Sequence, residues 1–298
     1  MTSHILGLFA ETAIHPGAGQ SADIIDLPVA REAATGYPVI IGSSFKGALL
    51  DYARDANVDE ATRNRIFGKP DDAVTNGAAG SLLVSDARLL LLPVRSLDSA
   101  CKWLTCPHLI ARWQRDTRRV KTDTAEKHAA LTLPSVMNGE YIGAGTANGL
   151  LFLEERQFSK AASNDTTQLV AALDQLIPGD ILYTHAHDHL AKQLVIISDD
   201  DFAWFAQNAL GIQARNSLNE ETKESKSLWY EEYIPADALF YAMLDERRMG
   251  GAVDTILKLF GQRPYIQLGG NETVGMGWFS ISIVPGGNAT ANQEGVAR

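Results

Sequence analysis

Residues Ile5 to Ala13 alternate as a strand does, and they run directly into His15-Pro16-Gly17-Ala18-Gly19, a loop rich in turn formers. This junction constrains the chain most: the strand must stop there, and the backbone beyond it is free to approach a ligand. After Gly36 and Gly42, the residues Ser43 and Ser44 read as N-caps of a helix running through Phe45, Ala48, Leu49 and Tyr52. The opening unit is therefore strand, loop, helix.

Farther on, residues 65–80 carry Phe67-Gly68, Lys69-Pro70, Asp71-Asp72 and Asn76-Gly77, which predicts a loop. Ser81 to Val94 predicts one or two strands around Asp86. Leu97 to Val120 has helical spacing and places Arg112, Arg115 and Arg119 on one face, suited to RNA backbone, to an acidic neighbouring subunit or simply to solvent. Gly149 to Phe158 and Tyr183 to Ile197 read as strands separated by a helix over about 166–176. A polar stretch with aromatic ends, Asn216 to Tyr233, predicts a protruding hairpin or loop. A helix over 253–260 then leads through Tyr265 to Leu268 into the glycine-rich Gly269-Gly270-Asn271-Glu272-Thr273-Val274-Gly275-Met276-Gly277, and Trp278 to Val284 closes as a strand. Mixed strands and helices without repeats fit an α+β domain with insertions.

A chain of 298 residues, 45% hydrophobic and 21% charged, is long enough to bury a real core. Its net charge of −10 opposes non-specific coating of nucleic acid, which rewards a basic surface, yet leaves room for a local basic groove. No apolar run reaches the roughly 20 residues of a membrane span, and Met1-Thr2-Ser3-His4 lacks a basic leader, so a cytoplasmic protein with no membrane partner is expected. Cys101 and Cys106 have neither redox nor zinc spacing and read as buried free thiols.

Several segments taken in order resemble the RAMP superfamily, specifically the backbone subunit of the type III-B CRISPR (Cmr) complex. They are His15 to Gly19; Ile25-Asp26-Leu27-Pro28-Val29-Ala30-Arg31-Glu32; Thr35 to Ile40 leading to Gly42-Ser43-Ser44-Phe45-Lys46-Gly47; Ser85 to Ser96; Tyr230-Glu231-Glu232-Tyr233-Ile234-Pro235; and the glycine-rich stretch. Residues from about Lys121 to Leu190 match least. The resemblance implies a ferredoxin-like (RRM-like) core over residues 1–284 with thumb-like hairpin and helical insertions near 57–80, 97–190 and 214–234, and a disordered tail over 285–298. It also implies a subunit that polymerises along a guide RNA beside other Cmr subunits and further copies of itself. Target RNA pairs with the guide and is cut at regular intervals.

In that family a thumb splays a nucleotide beside a loop aspartate, and Asp26 occupies the motif position. Fixing a 2′-hydroxyl in line with phosphorus supplies much of the rate of such a cleavage. A carboxylate with a reference pKa of about 3.9 is a feeble base, so Asp26 is expected to position the hydroxyl or support a divalent ion, Mg or Mn; no organic cofactor is implied. The plain alternative is that Asp26 caps a turn before Pro28. His15 is a candidate acid or phosphate contact, and also a residue that merely orders its loop. Lys46 with Ser43 and Ser44 forms a candidate phosphate site at a helix start. Gly17, Gly19, Arg31, Gly270, Asn271 and Gly275 complete the expected RNA contacts, although the glycine stretch equally suits a tight turn.

Two other functions compete. A RAMP scaffold that binds guide RNA without cutting differs only around Asp26. His185-Ala186-His187-Asp188-His189 resembles the zinc loop of metallo-β-lactamase-like hydrolases, one residue short; on a strand His185, His187 and His189 would share one side and make a zinc site.

Overall fold

The computed structural model describes residues 3–21, 24–69, 77–120, 126–128, 130–145, 149–162, 165–247 and 250–284. Its strands in chain order are β1 (His4–Ala10), β2 (Val39–Ile40), β3 (Gly68–Lys69), β4 (Ala78–Ala79), β5 (Leu82–Val84), β6 (Ala87–Arg95), β7 (Cys101–Thr105) and β8 (Glu140–Gly143). They continue with β9 (Leu150–Leu153), β10 (Arg156–Lys160), β11 (Leu194–Ile197), β12 (Gly211–Leu218), β13 (Ser225–Tyr233), β14 (Leu239–Glu246), β15 (Tyr265–Gln267) and β16 (Trp278–Val284). Helices α1 (Gly42–Asp55), α2 (Glu60–Phe67) and α3 (Pro107–Thr117) lie in the first half; later helices span Thr167–Asp174, Thr184–Gln193, Asp199–Asn208 and Ala252–Gln262.

Twelve of these strands form one mixed sheet in the order β15-β16-β1-β14-β6-β7-β11-β8-β10-β9, with β2 beside β6 and β5 beside β14. β1 sits centrally, antiparallel to β14 through Ile5↔Met243 and to β16 through Leu8↔Ile281. It is buried on both faces, so its sequence is nearly continuously apolar where alternation was expected, and it ends at Ala10, not Ala13. On one face Phe9 meets Tyr183 edge to face, and Gly7 admits the Leu176 carbonyl, which a Cβ there would approach to 2.1 Å. Against the sheet's helical layer, α1 turns Phe45, Leu49, Tyr52 and Ala53 inward at helical spacing. Phe45 and Leu49 are fully buried, each contributing roughly 2 kcal/mol. Tyr52 stacks on Phe260 of the helix Ala252–Gln262 at 5.2 Å.

β12 and β13 form a hairpin separate from the large sheet, paired from Gly211↔Tyr233 to Leu218↔Ser225. It exposes Ile212, Leu218, Leu228 and Tyr230, of which Leu228 is 58% exposed. This is the protrusion expected over 216–233, starting five residues earlier.

Four expectations need correction. Leu97 to Val120 is not one helix: β7 pairs with β6 and β11, and α3 begins only at Pro107, whose ring fits a first helical turn but not a helix interior. Tyr183 to Ile197 is not one strand; the helix Thr184–Gln193 occupies most of it, and only Leu194–Ile197 pairs in the sheet. Gly149 to Phe158 folds back on itself as β9 and β10, turning at Glu154 with φ of 48°. The 65–80 loop contains the end of α2 and the small β3–β4 pair. Residues 70–76 of that loop and the tail over 285–298 lie outside the described residues.

Candidate functional site

Loop segments far apart in sequence are stitched together at one end of β1. Single bridges pair Ile14 with Ile234, His15 with Gly270, Gly17 with Val29, and Leu27 with Glu231. At their centre His15 is 7% exposed, and its Nδ1 donates to the Glu232 carbonyl at 2.7 Å. Because a carbonyl only accepts, the hydrogen is on Nδ1. The His15 carbonyl in turn accepts the Gly270 amide at 2.8 Å. Gly269 has φ of +97°, and a Cβ on it would lie 2.7 Å from that carbonyl, so glycine is required for the approach. His15 thus locks the first loop to both the hairpin and the glycine-rich segment.

Asp26 lies half-buried beside the hairpin base. Its Oδ2 accepts the Tyr230 amide at 2.8 Å, while Leu27 donates to the Tyr230 carbonyl at 3.1 Å and accepts from the Glu232 amide at 3.0 Å. Residues 26–27 therefore run alongside β13 through a single parallel bridge, and the aspartate is fastened to the hairpin.

The adjacent Glu231 and Glu232 point to opposite sides of β13, as a period of two dictates. Glu231 is 6% exposed and accepts from Arg215 Nε at 3.0 Å, Asn271 Nδ2 at 2.8 Å and Trp229 Nε1 at 2.8 Å. Burial pushes its carboxyl up, but the hydrogen bonds from Trp229 and Asn271 and the Arg215 guanidinium outweigh it and hold the group below its ordinary value. Glu232 binds Arg31 Nη2 at 2.5 Å and the Val29 amide at 3.0 Å. Arg31 also donates to the Gly36 and Ala206 carbonyls at 3.0 and 2.6 Å. Arg31 and Asn271, expected at RNA, are thus held against other loops; Glu231, Glu232 and Arg215 join the site without being expected there, and the adjacent glutamates between Tyr230 and Tyr233 were the available signal.

A cleft of about 570 Å³ opens beside His15. It brings together Gly17 and Gly19 of the first loop, Ser44 and Gly47 of α1, and Gly270 of the glycine-rich segment. Its ionisable lining residues are His15, Asp51 and Glu272. At the start of α1 the capping position is Ile41, not Ser43 or Ser44: Asp86 Oδ1 accepts the Gly42 amide at 2.7 Å, and the two exposed serines occupy the first turn. Lys46 turns away from the cleft and donates to the Leu82 carbonyl at 3.1 Å; burial, with Arg247 nearby, lowers its ammonium from the ordinary value. Gly275 (φ +85°) ends a short turn that starts at Asn271.

The expected arginine face divides. Arg112 turns inward to Glu32 at 2.6 Å, Arg115 is exposed, and Arg119 lies beyond the end of α3. The three-histidine zinc reading fails on a helix: His185 and His189 stack on one side, while His187 turns to Asp174 and to the Pro178 carbonyl. Residues two apart on a helix do not face one way. Cys106 is buried and its thiol is pushed up to about 12 by that burial; Cys101 is half-buried and is also raised, by burial first.

Comparison with known proteins places this geometry in a family. The RAMP superfamily matches residues 10–280. The chain is 32% identical over 294 residues to the CRISPR system Cmr endoribonuclease Cmr4 of Pyrococcus furiosus, covering 95% of this chain and 96% of that one. It is 25% identical over 291 residues to the CRISPR system CMR subunit Cmr4 of Saccharolobus solfataricus, covering 90% and 92%. The crystal structure of oligomeric Cmr4 from Pyrococcus furiosus superposes with a TM-score of 0.73 at 28% identity, over 95% of this chain and 98% of that one. A type III-B Cmr-beta complex bound to cognate target RNA contains a chain of the same fold, with a TM-score of 0.72 at 19% identity over 95% and 97%. Matched over nearly its whole length, the chain belongs to the RAMP superfamily, and within it to the Cmr4 family.

Proposed function

We propose that this chain is a guide-RNA-binding backbone subunit of a type III-B CRISPR effector complex, and an endoribonuclease that cuts guide-paired target RNA at regular intervals. Its partners are the guide RNA, the target RNA, further copies of itself and other Cmr subunits, in the cytoplasm; no helix among the described residues is long and apolar enough to cross a membrane. The core we assign as ferredoxin-like is β1, α1, β6, β14, the helix Ala252–Gln262 and β16. Its support is the spatial order β16-β1-β14-β6 with every neighbour antiparallel.

One observation carries the reading: Asp26 Oδ2 accepts the Tyr230 amide at the base of a protruding hairpin. Wherever the hairpin meets RNA, the carboxylate goes with it. A hairpin whose apolar side chains unstack one nucleotide leaves its 2′-hydroxyl able to lie in line with the adjacent phosphorus. The 2′-oxygen then bonds to phosphorus as the bond to the 5′-oxygen breaks, giving a 2′,3′-cyclic phosphate and a 5′-hydroxyl; the proton lost from one oxygen is gained at the other. Asp26 orients the 2′-hydroxyl. His15 acts by fixing the loop that carries this geometry. Guide phosphates follow the cleft along Gly17, Gly19, Ser44 and Gly270, with Ser43 and Gly275 at its margins.

No group of three or more His, Cys, Asp or Glu side chains among the described residues converges on a metal position. Asp26 with RNA phosphates would hold a hydrated Mg or Mn ion, which keeps several waters and needs few protein carboxylates. Such an ion would offset the charge developing at phosphorus.

The test is Asp26→Ala in a reconstituted complex with guide and target. Assembly and target binding should persist while regularly spaced cleavage is lost. Cleavage at the wild-type rate would move the chemistry elsewhere, and a wild-type complex that binds but never cuts would leave a scaffold.

A further inference from the structure

We infer that His185 and His189 form a two-imidazole binding site for a divalent transition metal ion of the zinc class, on an element distinct from the Asp26 centre. The two residues are four apart on the helix Thr184–Gln193 and so lie one above the other on a single face. Their rings are 3.9 Å apart between centroids and tilted by only 28°. A tetrahedral ion with nitrogens at about 2.1 Å requires those nitrogens about 3.4 Å apart, which small side-chain rotations from this stack provide.

His189 is also prepared as a ligand. Its Nδ1 donates to the His185 carbonyl at 2.8 Å, which fixes the ring and leaves Nε2 as the coordinating nitrogen. His185 is exposed and His189 half-exposed, so an ion reaches them directly. Asp237 is within electrostatic range of His185. Imidazole pairs select zinc, nickel or copper over magnesium. His187 takes no part, since both of its ring nitrogens face other partners, Asp174 at 2.7 Å and the Pro178 carbonyl at 3.0 Å. With two protein ligands the remaining positions fall to water or to a donor from another molecule.

The experiment is calorimetric titration of zinc chloride into untagged, EDTA-stripped full-length protein at neutral pH. One equivalent should bind. His185→Ala and His189→Ala should each weaken it about a hundredfold, the gain expected from a second tethered ligand, while His187→Ala leaves it unchanged and magnesium chloride gives no binding. Both positions point outward, and circular dichroism should report an intact fold for each variant. No uptake by the wild type, uptake that survives the His185→Ala/His189→Ala double change, or uptake lost with His187→Ala would each overturn the site.

Discussion

Arg31→Ala should destabilise the protein more than Glu232→Ala, although the two side chains form one ion pair. Without Arg31, the Glu232 carboxylate loses a guanidinium 2.5 Å away while its side chain remains 4% exposed, and the carbonyls of Gly36 and Ala206 lose their donor. Stranding a buried charge in this way costs about 3–5 kcal/mol. Without Glu232, Arg31 keeps both carbonyls and its side chain is 24% exposed, so water compensates part of the loss. The main penalty is then the buried Val29 amide, about 1–3 kcal/mol. Urea unfolding of both variants and the double variant, with matched slopes, measures the difference. Equal costs within about 0.5 kcal/mol, or the reverse order, would refute the assignment of Glu232 as the buried partner. The same variants separate folding from RNA contact: Arg31→Ala should leave the salt dependence of guide binding unaltered, whereas a slope reduced by about one would put the guanidinium on a phosphate.

Lys46→Ala should leave guide affinity and that slope unchanged, because its ammonium is held on the Leu82 carbonyl away from the cleft; a slope lowered by about one would return Lys46 to the guide path. Gly269→Ala places a methyl 2.7 Å from the His15 carbonyl at a φ of +97°, and a loss of at least about 2 kcal/mol in unfolding free energy is expected, with cleavage reduced because the His15 loop shifts. His187 is opposed by burial, but hydrogen bonds with Asp174 and Pro178 outweigh it and raise the imidazole above its ordinary value. A folded-state value above the unfolded one adds stability that is complete below about pH 6.5 and fades as pH rises through the folded value. The stability difference between wild type and His187→Asn, followed by thermal melts, should therefore shrink from pH 5.5 to about pH 8; a difference that grows would reverse the sign.

Much of this architecture was legible in local pattern. Phe45, Leu49 and Tyr52 announced α1, and the turn formers after β1 located the loop on which His15 sits. Pro107 was a readable stop inside the predicted long helix, but the arginine spacing around it suggested continuity. The histidine run misled because alternate histidines fit a strand, while the residue that decides between helix and strand, Leu190 buried against the core, is a single apolar position. Ser43 and Ser44 looked like caps because the true partner of the Gly42 amide, Asp86, is 44 positions away. The contacts that build the candidate site, His15 to Glu232 and Glu231 to Asn271, are all long-range. No local periodicity encodes them, and only the family resemblance brought Asp26 forward.

β1 is flanked by β14 and β16, which begin only at Leu239 and Trp278. During synthesis the first strand therefore emerges with both hydrogen-bonding edges bare and waits for almost the entire chain before either is covered. Such a delay makes folding slow and exposes an apolar ribbon to aggregation. The emerging polypeptide has reason to need chaperone shelter, and any nascent chain ending before the glycine-rich segment holds His15 from the hairpin side alone.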